Sequence, residues 1–106
     1  MNGESMMQSI LQTYIGLAKE GTAASVAEIF GHLNTRMSLA ESKFIDFALG
    51  CVESKEGVAA VEQMLFHGTQ IQRNYCALFF GRRGDYDVVR KAYDLGLIDA
   101  KQAFSR

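Results

Sequence analysis

Apolar side chains recur at intervals of three and four residues along almost the whole chain, which is the spacing of helices that bury one face. The 106 residues include no proline, the residue that most strongly interrupts helices. Glycines and short polar stretches separate the periodic segments instead. The sequence therefore predicts an all-α protein whose helices are joined by short turns.

The spacing divides the chain into about seven helical segments. Thr22 and Thr69 are predicted to cap two of them, and Ser38 followed by Glu41 has the spacing of a capping box. Asp85 is predicted to cap the sixth segment, and residues 54 to 57 are predicted to form a turn. The segments cover approximately residues 4–20, 22–33, 38–52, 58–67, 69–83, 85–95 and 99–104.

Connections of only a few residues make neighbouring helices antiparallel, so the chain is predicted to be a run of helical hairpins. Residues 77–96 read like a tetratricopeptide hairpin, with Ala77 and Gly96 as small residues at the helix crossing. A second such hairpin includes Ala48, and the first hairpin is degenerate. HEAT-like repeats fit the spacing nearly as well, so the type of repeat stays open. We predict a single domain over residues 1–106, a tetratricopeptide-like superhelix of stacked hairpins.

Several function classes find no support in the sequence. The chain has no glycine-rich phosphate loop and no HExxH, CxxC or Gly-x-Ser-x-Gly motif, so we expect no catalytic residue, cofactor or metal site. No apolar run reaches the length of a membrane span, and the first residues do not resemble a secretory signal. Two cysteines, Cys51 and Cys76, are too few for a disulfide framework and indicate a reducing cytoplasm.

The net charge of −1 hides an uneven distribution, because residues 1–68 are acidic overall and residues 69–106 are basic. Basic residues with aromatic neighbours form a cluster that could contact nucleic acid. A sequence pI near 6.1 argues against that role, and a solvated helix face or a peptide contact explains the cluster more simply. The cluster consists of Arg82, Arg83, Arg90 and Lys91.

Stacked hairpins have a concave side that is lined by the first helix of each pair. Apolar residues on that side form a groove for an amphipathic helix if the hairpin crossing does not need them. Leu49 and Leu78, which follow the crossing residues Ala48 and Ala77, are expected to contact the bound helix. The complete predicted groove consists of Leu11, Ile15, Ile45, Leu49, Val52, Tyr75, Leu78 and Phe79.

Three stretches carry a resemblance to a known family. The first is Leu-Ala-Lys-Glu-Gly-Thr at residues 17–22 with Val-Ala-Glu-Ile-Phe at residues 26–30. The second covers residues 40–65, and the third is Gln-Arg-Asn-Tyr-Cys-Ala-Leu-Phe-Phe-Gly-Arg-Arg-Gly at residues 72–84. Within about residues 10–97 the chain resembles the tetratricopeptide-type chaperones of type III secretion needle subunits, the YscG/PscG-type proteins.

The resemblance implies a cytoplasmic, non-enzymatic chaperone that works in a heteromeric complex. A small helical co-chaperone helps it to hold one needle subunit, whose amphipathic C-terminal helix lies in the groove and is kept from polymerising. The first helix belongs to a terminal repeat with an apolar stripe, so we expect the co-chaperone to dock on Met6, Met7, Ile10 and Tyr14. The alternative is a HEAT-like adaptor, or a nucleic-acid-associated protein that uses the basic C-terminal end.

Overall fold

The computed structural model describes residues 3–104, and within that range it contains seven α-helices and no strand. The all-α prediction is confirmed. No helix among these residues has both the length and the apolar character that a membrane crossing requires. The helices are α1 (Gly3–Glu20), α2 (Ala23–Gly31), α3 (Leu39–Leu49), α4 (Lys55–His67), α5 (Gln70–Arg82), α6 (Tyr86–Asp94) and α7 (Ala100–Phe104).

The chain divides into two compact units, Met1–Ala60 and Val61–Arg106, with the boundary inside α4. In the first unit α1 packs against both α2 and α3. In the second unit α5 packs against α6 and α7, which also pack against each other. Each unit therefore contains packed pairs of consecutive helices, as short connections between amphipathic helices predict.

Side-chain caps begin the helices at the positions that the sequence indicates. Thr22 Oγ1 accepts a hydrogen bond from the Ser25 N–H at 3.0 Å, and Ser25 Oγ accepts one from the Thr22 N–H at 3.0 Å. Thr69 and Gln72 form the same reciprocal capping box at the start of α5. Ser38 caps α3 by accepting from the N–H of the third helical residue at 3.1 Å. These bonds satisfy N–H groups that have no partner inside the helix.

The predicted turn at residues 54–57 is wrong, because α4 already begins at Lys55. Ser54 acts as its cap, since its hydroxyl accepts a hydrogen bond from the Gly57 N–H at 3.0 Å. The same hydroxyl donates to the Gly21 carbonyl at 2.7 Å, which ties the start of α4 to the turn between α1 and α2. Ser54 therefore marks the start of a helix, and Gly57 lies where two segments of the chain come close together. Elsewhere both residue types favour a turn.

The core of the first unit lies where α2 and α3 face α1. Phe30 is completely buried and is the largest of its fully buried side chains. The other buried apolar residues of this unit are Tyr14, Ala18, Val26, Ile29, Leu33, Ile45, Ala48, Leu49 and Val52. Burial of apolar area on this scale is what holds short helices together, because isolated helices of this length are marginal in water.

The second unit has its own apolar core, in which the Phe79 and Phe80 rings meet edge to face with centroids 5.0 Å apart. Edge-to-face geometry is a favourable arrangement of two aromatic quadrupoles. The remaining buried apolar residues of this unit are Val61, Leu65, Cys76, Ala77, Val89, Ala92, Ile98 and Ala103. Asp99 caps α7 as its position suggests, with Oδ1 accepting from the Gln102 N–H at 2.8 Å.

Arg73 joins two turns of the second unit. Its Nε donates to the Leu97 carbonyl and its Nη1 donates to the Gly68 carbonyl, both at 2.8 Å. Its Nη2 donates to Gln70 Oε1 at 2.8 Å. The guanidinium therefore supplies donors both to the turn before α5 and to the segment before α7, and its half-buried position strengthens these charge-assisted bonds.

We expect Arg73→Ala to lower the free energy of unfolding by about 2–3 kcal/mol, because the Gly68 and Leu97 carbonyls lose a charged donor. The matched control is Arg90→Ala, since Arg90 makes only an exposed contact with Asp94 at 3.4 Å. That variant should change the free energy by less than about 0.5 kcal/mol. Urea denaturation followed by circular dichroism measures both, and equal losses would contradict the role of Arg73.

Candidate functional site

Half of the predicted groove lies in the core. Ile45, Leu49 and Val52 are at most 1% exposed, and Phe79 is 4% exposed. These four side chains have no surface for a partner to contact. The prediction that they line a groove is therefore wrong for the folded chain, and Leu49 in particular is a packing residue.

The geometry of α3 explains the error. Ser42, Ile45 and Leu49 recur at three- and four-residue steps and so share one buried stripe of α3, and Val52 is buried just after the helix ends. A one-residue step turns a helix by about 100°. The prediction for Leu49 assumes that this turn moves its side chain away from the helix crossing at Ala48. The buried arc of α3 is wide enough to include both residues.

The other four predicted groove residues are partly accessible. Leu11 and Ile15 lie half-buried on α1 in the first unit, and Tyr75 and Leu78 lie half-buried on α5 in the second. Each therefore presents part of its surface to solvent. That these residues form one continuous groove stays a prediction.

An apolar hollow of about 310 Å³ lies between α1 and α3, and we call it the α1–α3 hollow. Met7, Gln8, Leu11 and Phe44 line it, and none of these four side chains is charged. Phe47, one turn after Phe44 on α3, is 61% exposed. The predicted groove includes neither phenylalanine. In the sequence, Phe44 and Phe47 are three residues apart and lie outside the buried stripe, so they indicate a second apolar edge on α3.

The predicted co-chaperone surface is exposed at three of its four residues. Met6 is 56% exposed, Met7 40% and Ile10 37%, whereas Tyr14 is only 7% exposed. Tyr14 is buried because it shares the inward face of α1 with Ala18, one turn later. The prediction that Tyr14 forms part of this surface is therefore wrong, because its side chain is buried beneath the exposed residues.

A second, smaller hollow of about 200 Å³ lies beside the exposed edge of α1, and we call it the α1–α2 hollow. Ile10, Thr13, Tyr14 and His32 line it. The Tyr14 and His32 rings meet edge-on with centroids 5.6 Å apart. Burial raises the pKa of the Tyr14 hydroxyl, and the negative charge of Glu41 raises it further. The phenol therefore stays neutral, as a packing residue should.

The basic cluster makes contacts within the second unit. Each cation described below lies beside a carboxylate or an aromatic ring, which are the ordinary partners of surface cations. The contacts are Arg83 Nε with Asp85 at 4.0 Å, the Arg83 guanidinium 4.9 Å from the Phe79 ring, Arg90 with Asp94 at 3.4 Å, and Lys91 Nζ 5.5 Å from the Phe66 ring. Asp85 occupies the N-cap position of α6 as predicted, but its side chain makes no capping hydrogen bond and lies beside Arg83 instead.

The second unit also has an open hollow of about 420 Å³ between the ends of α4 and α6. Phe66, Leu95 and Leu97 supply its apolar part, and Leu95 is 61% exposed. The polar part mixes both signs of charge, with Lys91 and Glu62 among the lining residues. Such a mixed lining favours no single class of ligand.

Residues 3–104 include two cysteines and other side chains of the types that bind metal ions. No three His, Cys, Asp or Glu side chains in this range come together as metal ligands. Cys76 is buried, and burial raises the pKa of its thiol, which keeps it in the unreactive protonated form. Cys51 is half-buried and its Sγ lies 3.8 Å from the Phe47 carbonyl.

No family model, curated protein or solved structure matches the chain. The α1–α3 hollow and the exposed edge of α1 are the two apolar surfaces of the first unit described above. Met7, Leu11 and Phe44 line the hollow together with the polar Gln8. Apolar linings that include methionine are typical of surfaces that accept an amphipathic helix.

Proposed function

We propose that the chain is a binding protein for an amphipathic helix, and that the α1–α3 hollow accepts the apolar face of that helix. The observation that carries the proposal is an uncharged hollow formed by Met7, Leu11 and Phe44, with the exposed Phe47 beside it. Helix-in-groove recognition uses apolar anchors of this kind, and methionine adapts to the shape of its partner.

Within this class, the resemblance favours a chaperone of a type III secretion needle subunit. Such a chaperone acts in the cytoplasm without catalysing a reaction and covers the apolar helix through which the subunit polymerises. A small helical co-chaperone then docks on the exposed edge of α1, at Met6, Met7 and Ile10. Exposed apolar side chains of this size on a terminal helix are typical of an interaction surface.

Phe44→Glu tests the proposal, because it places a charge in the α1–α3 hollow. The probe is a synthetic peptide with the sequence of the C-terminal helix of a type III secretion needle subunit, with binding measured by calorimetry. We expect the dissociation constant to rise about thirtyfold, the scale of a hot-spot loss near 2 kcal/mol. Phe44→Ala should weaken binding in the same direction with a smaller effect.

Leu39→Glu is the matched control, since Leu39 lies on the same helix, is 72% exposed and does not line the hollow. It should bind the helix as the natural chain does, and circular dichroism should show native helix content for all variants. Equal affinities of Phe44→Glu and Leu39→Glu would reject the hollow as the binding site. Failure of the natural chain to keep the needle subunit soluble would reject the chaperone function itself.

The alternative is a HEAT-like adaptor, or a nucleic-acid-associated protein that uses the basic C-terminal end. Three cations of the basic cluster, Arg83, Arg90 and Lys91, lie beside Asp85, Asp94 or aromatic rings. Phosphate binding depends steeply on salt because counterions are released. RNA or DNA binding that weakens steeply with salt would favour this alternative over the chaperone.

A further inference from the structure

Met7 brings a sulfur atom to the lining of the α1–α3 hollow. It lines the hollow beside Leu11 and Phe44, and it is 40% exposed. A small oxidant dissolved in water can therefore reach a thioether that is also part of the proposed binding surface. Oxidation of methionine to the sulfoxide is a common reaction in proteins, and it turns a flexible apolar side chain into a polar one.

The other sulfur atoms within residues 6–104 lie outside this lining. Met6, the neighbour of Met7, is 56% exposed and is therefore at least as open to an oxidant. The remaining sulfur-containing residues of this range are half-buried or buried: Met37, Met64, Cys51 and Cys76. Oxidation of Met7 thus adds a polar group to the hollow itself, whereas oxidation of Met6 adds one outside it.

Oxidation of Met7 changes what the hollow can accept. The Met7 sulfur takes one oxygen atom from hydrogen peroxide, which is thereby reduced to water. The new sulfoxide oxygen is a polar acceptor that water solvates as long as the hollow is open. The apolar face of a helix offers this oxygen no donor, so covering it leaves a polar group without a partner, which opposes binding. The lining contains no charged side chain that could pair with it.

We propose that the α1–α3 hollow is redox-sensitive, and that oxidation of Met7 to the sulfoxide releases the bound amphipathic helix. This inference rests on the proposed function, because it describes how binding at the same hollow is regulated. A methionine sulfoxide reductase with a dithiol reverses the reaction: the sulfoxide oxygen leaves as water, the dithiol is oxidised to a disulfide, and the thioether is restored.

Binding of the needle-subunit peptide before and after peroxide treatment tests the proposal. The chain carries Cys51→Ser, so that oxidation of this half-buried thiol does not contribute. Tandem mass spectrometry measures the fraction of Met7 that has gained an oxygen atom, and calorimetry measures affinity. We expect the dissociation constant to rise about tenfold on oxidation. Treatment with a methionine sulfoxide reductase and dithiothreitol should return it to the value before oxidation.

Met7→Leu is the decisive variant, because leucine keeps the hollow apolar and cannot form a sulfoxide. It should bind the peptide as the natural residue does and keep that affinity after peroxide. Met6→Leu is the matched control, since it retains Met7 and should lose affinity on oxidation. Circular dichroism should show native helix content in every oxidised chain.

Three results would overturn the regulation alone. They are an unchanged affinity when Met7 is fully oxidised, an equal loss of affinity in Met7→Leu, and a loss of helix content on oxidation, which would make release a consequence of unfolding. If the reduced chain binds no peptide, the proposed function fails and its regulation fails with it, so the affinity before peroxide treatment distinguishes the two failures.

Discussion

Leu49→Glu should unfold the first unit rather than merely weaken a binding site. Leu49 is 1% exposed and shares the buried stripe of α3 with Ser42 and Ile45. The new carboxylate would have to be buried without a partner or expel the helix from the core. Either outcome costs about 5 kcal/mol, which is the whole stability of many small domains. The groove interpretation of this residue expects the opposite result, a folded chain that has lost its partner.

Circular dichroism and urea denaturation separate these outcomes. Phe47→Glu is the matched control, because Phe47 lies two residues earlier on the same helix and is 61% exposed. It should keep native helix content and stability within about 0.5 kcal/mol. Leu78→Glu should be intermediate, since Leu78 is half-buried on α5. Native helix content and an unchanged urea midpoint in Leu49→Glu would place this side chain in solvent and restore it to the groove.

The starts of most helices could be predicted from the sequence. Thr22, Ser38, Thr69 and Asp99 cap the helices that their positions indicate, because a capping bond joins residues only three positions apart. The apolar spacing likewise predicts helix number, since a period of 3.6 residues is a property of each segment alone. Local causes of this kind can be read without knowing the tertiary structure.

The interactions that the sequence does not reveal join residues that are distant along the chain. Ser54 reads as part of a turn because its hydroxyl contact with the Gly21 carbonyl exists only after the two loops meet. Arg73 carries no recognisable signal, because its acceptors are backbone carbonyls at Gly68 and Leu97 that any residue type provides. Neither the spacing nor the composition of the sequence distinguishes these roles of Ser54 and Arg73 before the structure is known.

The apolar surface of α3 shows what the sequence cannot assign. Amphipathic spacing shows that α3 has apolar residues on more than one side, and it does not say which side faces α1. The structure buries Ile45 and Leu49 and leaves Phe44 and Phe47 at the surface. Packing against α1 determines which side of α3 is buried, so only the tertiary structure could assign the hollow to Phe44.

Gly21→Ala should have the second-largest effect, because two separate costs meet at this turn. Gly21 has a φ of +64°, a left-handed conformation that costs a residue with a side chain about 1–2 kcal/mol. Its new Cβ would also collide with the Ser54 hydroxyl, which would have to leave the Gly21 carbonyl that it contacts at 2.7 Å. Loss of that bond adds about 1 kcal/mol. We expect a total of about 3 kcal/mol in urea denaturation.

Two glycines elsewhere separate these contributions. Gly84 has a φ of +79° and no heavy atom within 4 Å of the point where a Cβ would lie, so Gly84→Ala measures the backbone cost alone, about 1 kcal/mol. Gly16 lies within α1 with open space around it, so Gly16→Ala should stabilise the protein by about 0.5–1 kcal/mol.

Adding Ser54→Gly to Gly21→Ala removes the collision, so the double variant should lose less stability than the sum of the single losses. If Gly21→Ala cost no more than Gly84→Ala, the contact between the two loops would contribute nothing to stability, since only the backbone conformation would then distinguish glycine from alanine.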